Sequence, residues 1–316
     1  MTIIIKNIIF GGDMFSKLKM IPATILLTVG LLSCNGGGNQ EKPFTIGFVP
    51  SENMEEVTKN AQPLVDMLTK AVGKEVKPFI ATDYTGIVEA FRAGKLDVGF
   101  LSPAAYVMAN QEAGVKVILK AERNGKSVFY SAIITRKDSG INKLEDFKDK
   151  TFSFGDVLST SGHIFPKKLF LDKGIDPKVA FKNVIYSGGH DATVLAVYNK
   201  KVDGGAVYAN DTDGKSGAWD RFLKPEEAAE IKTIAFSEPI PADTICVSKE
   251  MDKAIASKFE KALVDVGNDP EGQKLIKRLY EIDKFVPASD SDYQSIRTAF
   301  TAAGIDLKSE LSNKKK

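Results

Sequence analysis

Beyond Pro43 the chain alternates between two kinds of hydrophobic pattern. Short apolar runs, Phe44-Thr45-Ile46-Gly47-Phe48-Val49 and Val76-Lys77-Pro78-Phe79-Ile80, predict strands. Each precedes a longer stretch with apolar residues three and four apart, at Met54–Val72 and at 85–93, which predicts a helix. Residues 97–101 and 104–111 repeat the strand–helix pair, and 115–120 add a strand. Farther on, 151–154 and 202–208 read as strands and 164–173 as an amphipathic helix; 254–266 and 273–280 read as C-terminal helices. Such alternation predicts an α/β architecture with mixed, mostly parallel sheets flanked by helices, because parallel neighbours need a crossover that a helix supplies.

About 275 residues follow the N-terminal segment, more than one typical domain holds, and an internal echo suggests two lobes. Displaced by 106 residues, the stretch Asp83 to Gly99 falls on Gly189 to Gly205, with Val88, Ala90, Lys95, Asp97 and Gly99 meeting identical residues. Each copy reads as a helix, a Lys-apolar-Asp turn and a short strand. Tyr84 and His190 then hold equivalent places at the starts of their helices, one on each side of any cleft between the lobes. The order of elements predicts a first lobe of residues 43–133 plus 240–316 and a second lobe of 134–239. The chain would cross between them near 131–135 and 235–242, and two crossings permit hinge closure.

Candidate chemistry concentrates where the Thr151–Phe154 strand runs into Ser159-Thr160-Ser161-Gly162 and a helix start. The first N–H groups of a helix lack partners and sit at the positive end of its dipole, and three hydroxyls add rotatable donors, so the segment can serve as an anion socket. An ordinary hydroxyl-capped helix fits the same residues. His163, just after the glycine, reads as a helix-surface residue. Ser102, before the Pro103-Ala104-Ala105-Tyr106 helix start, is a candidate donor from the first lobe.

The N-terminus sets the compartment. Met14-Phe15-Ser16-Lys17-Leu18-Lys19 followed by the apolar run 21–32 reads as an export signal, too short for a permanent membrane span. Met14 itself is a candidate start. The signal ends in Leu31-Leu32-Ser33-Cys34, which resembles a bacterial lipobox, and a Gly-rich tether at 35–42 follows. Cys34 is therefore the expected lipidation site, with residues 1–34 as signal peptide and lipobox. Removing residues 1–33 takes the formal charge from +2 to zero, so no basic excess supports nucleic-acid binding. Cys246 would then be the remaining thiol, in an apolar run that predicts a buried, inert cysteine.

The segments Asp83-Tyr84-Thr85-Gly86-Ile87, Ser159-Thr160-Ser161-Gly162, Gly189-His190-Asp191-Ala192 and Ile240-Pro241-Ala242-Asp243, in that order, resemble the phosphate/phosphite/phosphonate solute-binding proteins of bacterial ABC transporters. The resemblance begins at Ile46-Gly47-Phe48-Val49-Pro50-Ser51-Glu52 and covers nearly all of the chain after the tether. It implies the two-lobed type II periplasmic-binding fold and a phosphorus oxyanion held in the cleft by Ser159, Thr160, Ser161 and His190, with Tyr84 closing from the other lobe and Asp243 beside the ligand. Family members that prefer aminophosphonates carry a carboxylate where this chain has Asn210, with Asp211 next to it. Phe129 stands where an aromatic hydroxyl can contact ligand. The implied partners are an ABC permease, its ATPase and, through Cys34, a membrane; the implied state is an extracytoplasmic monomer.

Enzyme motifs are missing from the sequence. There is no Gly-x-Ser-x-Gly elbow, no phosphate-binding Gly-x-x-x-x-Gly-Lys-Ser/Thr loop and no dense His/Cys cluster, so a non-enzyme without cofactor or metal is expected. Two other classes fit the same lobes: a ligand sensor serving a membrane signalling protein, and a bilobal enzyme acting on a phosphorylated compound.

Overall fold

The computed structural model describes residues 42–305, and the export signal, Cys34, most of the tether and the Lys314-Lys315-Lys316 end lie outside them. Strands β1 (Phe44–Phe48), β2 (Val76–Ile80), β3 (Val98–Leu101) and β4 (Lys116–Glu122) begin one sheet. The chain then builds a second sheet from β5 (Val128–Arg136), β6 (Thr151–Phe154), β7 (Asn183–Tyr186), β8 (Gly204–Ala209), β9 (Ile231–Phe236) and β10 (Ile240–Pro241). It returns to the first through β11 (Thr244–Val247) and β12 (Lys284–Pro287). The orders are β12-β4-β11-β3-β1-β2 and β10-β5-β8-β6-β7, with β9 also paired to β5. The result is the two-lobed α/β arrangement of type II periplasmic binding proteins.

Both sheets are mixed, as expected, but antiparallel ladders outnumber parallel ones among the described residues. Only the strands joined through helices, β1 with β2 and β3 and β6 with β7 and β8, pair in parallel; the ladders made by β4, β5, β9, β10, β11 and β12 are antiparallel. Strands that enter a sheet from the other lobe arrive without a helical crossover, and that fixes their direction.

The echo at a spacing of 106 extends to the hydrogen bonds. Thr45 N donates to Asp97 Oδ2 at 2.8 Å and Asp97 N to Thr45 O at 2.9 Å; Thr151 and Asp203 repeat both bonds at 2.8 and 2.9 Å. Ala81 N bonds Phe48 O as Ser187 N bonds Phe154 O, and Lys95 N bonds Ala90 O as Lys201 N bonds Ala196 O. Ile46 stands opposite Val98 as Phe152 stands opposite Gly204. The left-handed residue ending each helix is Gly94 in the first copy and Lys200 in the second, at φ 64° and 58°.

The first crossing falls before the expected 131–135, and the second, at 242–243, at the end of the expected 235–242. The first is a two-residue hairpin, Asn124-Gly125, with φ of 51° and 72° and reciprocal Arg123–Lys126 backbone bonds. Pairing into the second sheet already begins at Val128, and Ile240-Pro241 still belongs to that sheet. The strands meet at the crossing, where Ala242 N donates to Ser127 O and Ala121 N to Asp243 O.

Aromatic packing fixes the hydroxyl-rich turn on both sides. Phe152 and Phe154 of β6 point into a cluster with Phe147, Phe170 and Phe181, whose neighbouring rings lie 4.9–6.2 Å apart, mostly edge to face. Phe170 belongs to the helix Phe165–Asp172 that leaves the turn, so strand and helix are anchored in one core. Leu158, Ile164 and Phe165 face the other way and pack with Ala104, Ala105 and Tyr106 of the first lobe. The lobes are therefore in apolar contact beside the turn.

His163 is buried here rather than on a helix surface. Its Nδ1 lies 2.8 Å from Val157 O, its Nε2 lies 3.2 Å from the Tyr186 hydroxyl, and its ring meets Phe154 edge to face. Burial lowers its pKa to about 4. Unfolded imidazole titrates near 6.5, so as pH falls between about 6.5 and 4 the unfolded chain takes up the proton first and stability is lost. We expect the stability advantage of wild type over His163→Gln to shrink by about 2 kcal/mol between pH 7 and pH 5. Urea unfolding at the two pH values reads this, and a constant difference would refute a neutral His163.

Candidate functional site

The segment after β6 is a wide, π-type turn, Thr160–Ile164, continuous with the helix Phe165–Asp172. Ser159 organises it: its Oγ accepts from Gly162 N at 3.0 Å, and its carbonyl accepts from both His163 N and Ile164 N. Those three N–H groups are thus consumed within the turn, and the hydroxyls carry more of any ligand contact than the sequence predicted. Ser131 Oγ donates to Ser161 O at 2.6 Å and ties the turn to β5. A Cβ at Gly162 would lie 2.7 Å from Ser159 Oγ and 3.2 Å from Gly155 Cα. Gly162→Ala must therefore push the Ser159 hydroxyl off its cap, and we expect roughly tenfold weaker ligand binding. Calorimetry checks this, and an unchanged affinity would remove Ser159 Oγ from the contact set.

The turn faces a cavity between the lobes. Tyr84, Ser102, Phe129, Ser159, Thr160, Ser161, His190, Asn210 and Asp243, all expected from sequence, line it. Asp211 does not. Its Oδ1 accepts from Asp213 N within the loop after β8, because that loop folds back at Ser216 and takes the residue after Asn210 away from the cavity. Tyr130, next to Phe129, packs with the second-lobe core, as alternation along a strand requires.

Contacts across the cleft place each donor. Ala104 N, in the first turn of the helix Pro103–Ala113, donates to Thr160 Oγ1 at 2.9 Å. Ser102 caps that helix through Ala105 N and donates to Leu158 O, both at 3.3 Å. His190 N donates to Ser51 O at 3.0 Å, and Tyr84 N to Asp156 Oδ2 at 3.4 Å. Burial holds the Tyr84 phenol far above its ordinary pKa. A hydroxyl that accepts a backbone N–H keeps its own proton to donate. Thr160, Ser159 and a protonated Tyr84 therefore converge as donors on one small volume.

His190 starts the helix His190–Tyr198 and is buried, its ring edge to face with Tyr208 at 5.1 Å. Burial, reinforced by the Arg221 charge, lowers its pKa to about 4, so the ring is neutral at pH 7. Its Nδ1 is a buried atom without a protein partner, and so is Asn210 Oδ1, whose Nδ2 bonds Ser216 Oγ. Such atoms cost on the order of 1–3 kcal/mol unless a ligand or water meets them.

The cavity also holds residues that sequence reasoning missed. Arg123 and Arg221 line it, each paired to a carboxylate. Arg123 Nη2 donates to Asp243 Oδ2 at 2.7 Å and its Nε to Tyr280 O at 3.0 Å, joining the two crossings. Arg221 reaches across to Glu52, with Nη2 at 2.6 and 2.9 Å from its two oxygens and Nε at 3.2 Å. Tyr208 donates to Glu281 Oε2 at 2.8 Å. Burial raises the Glu52 pKa while Arg221 pulls it back. Among the described residues no three His, Cys, Asp or Glu side chains are grouped to hold a metal ion. Cys246 is buried and its thiol donates to Thr244 Oγ1 at 3.2 Å; burial pushes its pKa up.

Two sheets joined by a paired double crossing, with a donor-lined cavity closed between them, define a periplasmic-type solute-binding protein. The chain belongs to the periplasmic substrate-binding proteins of phosphonate ABC transporters, whose family model matches residues 46–293. It is 30% identical over 254 residues to the phosphonates-binding periplasmic protein of Escherichia coli, covering 79% of this chain and 73% of that one. It is 28% identical over 313 residues to a phosphate-import protein of Mycolicibacterium smegmatis, covering 89% and 95%. A solved binding-protein component of a phosphonate ABC transporter from Pseudomonas aeruginosa superposes with a TM-score of 0.75 at 27% identity, over 84% of this chain and 87% of that one. The protein is thus a binding component of an importer, at work outside the cytoplasm.

Proposed function

We propose that the chain captures a small phosphorus oxyanion, a phosphonate, phosphite or phosphate, between its lobes and hands it to a permease driven by an ATPase. The observation that carries the reading is convergence. Ser159, Thr160 and Ser161 from one lobe meet Tyr84 and Ser102 from the other around one cavity, next to the unpartnered Nδ1 of His190. Neutral directed donors suit a tetrahedral oxyanion because they select by geometry and proton count rather than by net charge.

Asp243 adds the proton count. A carboxylate beside an oxyanion is repelled unless it accepts a proton from it, so it favours a ligand with P–OH and disfavours fully ionised sulfate. The pairing with Arg123 occupies Oδ2 and holds the carboxylate in place for this role. In this reading Cys34 carries the lipid, the first lobe holds β1–β4, β11 and β12, the second holds β5–β10, and the protein acts as a monomer that returns its ligand unchanged. Mass spectrometry of ligand released from freshly purified protein tests the proposal. A phosphorus oxyanion is the expected result, and an amino acid, sugar or organosulfur compound would overturn it.

A further inference from the structure

Besides the hydroxyl turn, the cavity is lined by paired ions. Arg221, on the short helix Ala218–Phe222 of the second lobe, is 17% exposed and its partner Glu52 in the first lobe 11%. Besides Glu52, Arg221 Nη2 donates to the carbonyls of Arg278 and Leu279 at 3.1 and 3.3 Å, at the C-terminal end of the helix Pro270–Tyr280. Glu281 Oε2, which accepts from Tyr208, lies 3.9 Å from Arg221 Nη1. Nε and Nη2 of the guanidinium are thus engaged by first-lobe acceptors, Nη1 faces Glu281, and each facing carboxylate has a donor.

A ligand tail bearing its own charge meets a wall whose charges already neutralise one another. An ammonium competes with Arg221 for Glu52 and Glu281, and a carboxylate competes with Glu52 for Arg221. Breaking a largely buried charge pair costs more than the new contact returns unless the geometry is rebuilt. An uncharged substituent as small as hydrogen, hydroxyl or methyl leaves the wall intact. Resting on the oxyanion reading above, we propose that Arg221 and Glu52 form a specificity latch that restricts the cavity to phosphorus oxyanions with a small uncharged fourth substituent.

Calorimetric titration of methylphosphonate, 2-aminoethylphosphonate and phosphonoacetate against wild type, Arg221→Gln and Glu52→Gln tests this, with circular dichroism to confirm folding. Wild type is expected to bind methylphosphonate at least a hundredfold more tightly than either charged analogue. Arg221→Gln leaves Glu52 and Glu281 exposed to the tail, so 2-aminoethylphosphonate should gain at least tenfold relative to methylphosphonate while phosphonoacetate gains nothing. Glu52→Gln should do the reverse. If one variant fails to fold, the wild-type ratios and the other variant still decide. Equal wild-type affinity for a charged analogue, or equal gains for both analogues in either variant, would overturn the latch alone. No wild-type binding of methylphosphonate, phosphite or phosphate would overturn the oxyanion reading and the latch with it.

Discussion

Thr160→Val is expected to weaken ligand binding about a hundredfold while leaving the protein folded. Valine matches threonine in shape, so the change removes one hydroxyl and little else. That hydroxyl accepts the Ala104 N–H from the opposite lobe at 2.9 Å and keeps its proton for the ligand. Its loss removes a donor to an anion and leaves a buried N–H unpaired in the closed state, about 3 kcal/mol together, or roughly a hundredfold. The open state loses neither, so the penalty falls on closure and capture. Thr160→Ser retains the hydroxyl and should stay within a few-fold of wild type. Calorimetry of both variants decides; a Thr160→Val protein with wild-type affinity would move the site away from the turn.

Asp243→Asn is expected to reverse the discrimination against sulfate. In the proposed complex the carboxylate meets the oxyanion with Oδ1, while Arg123 holds Oδ2 at 2.7 Å. The amide can donate to a proton-free oxyanion, and it releases the Arg123 charge toward the cavity. Sulfate should therefore gain affinity by roughly tenfold or more, while phosphite and methylphosphonate lose by a similar factor because their P–OH exchanges an ionised acceptor for a weaker neutral amide. The sulfate-to-phosphite affinity ratio in the two proteins is the readout. An unchanged ratio would assign Asp243 a purely structural role at the crossing.

Much of this was legible in the chain. The strand–helix alternation placed the helix Met54–Val72 at its observed limits, and the spacing of 106 found an internal echo that extends to paired hydrogen bonds such as Thr45–Asp97 and Thr151–Asp203. It also found Tyr84 and His190, because equivalent helix starts in two similar lobes face one cleft. The first crossing was placed late, although Asn124-Gly125 is itself a hairpin signal and the structure turns there.

Arg221 and Arg123 were not legible for a physical reason. Nothing local requires a cation at either position, and their partners Glu52 and Asp243 are separated from them by 169 and 120 residues. Only the closed arrangement of the lobes gives those charges meaning. His163 misled because an imidazole just inside a helix reads as surface, whereas the π-type turn rotates it onto Phe154 and Tyr186. Adjacent sequence kept Asp211 in the candidate set until the loop after β8 carried it away from the cavity.

The central claim is that neutral, geometrically fixed donors and one carboxylate select a protonated phosphorus oxyanion. Titrating the wild-type protein, stripped of ligand, with methylphosphonate, phosphite, phosphate and sulfate in one buffer tests it most directly. At least one of the three phosphorus compounds should bind with a Kd in the micromolar range or below, and sulfate at least a hundredfold more weakly. Sulfate binding as tightly as the best of them would contradict the account.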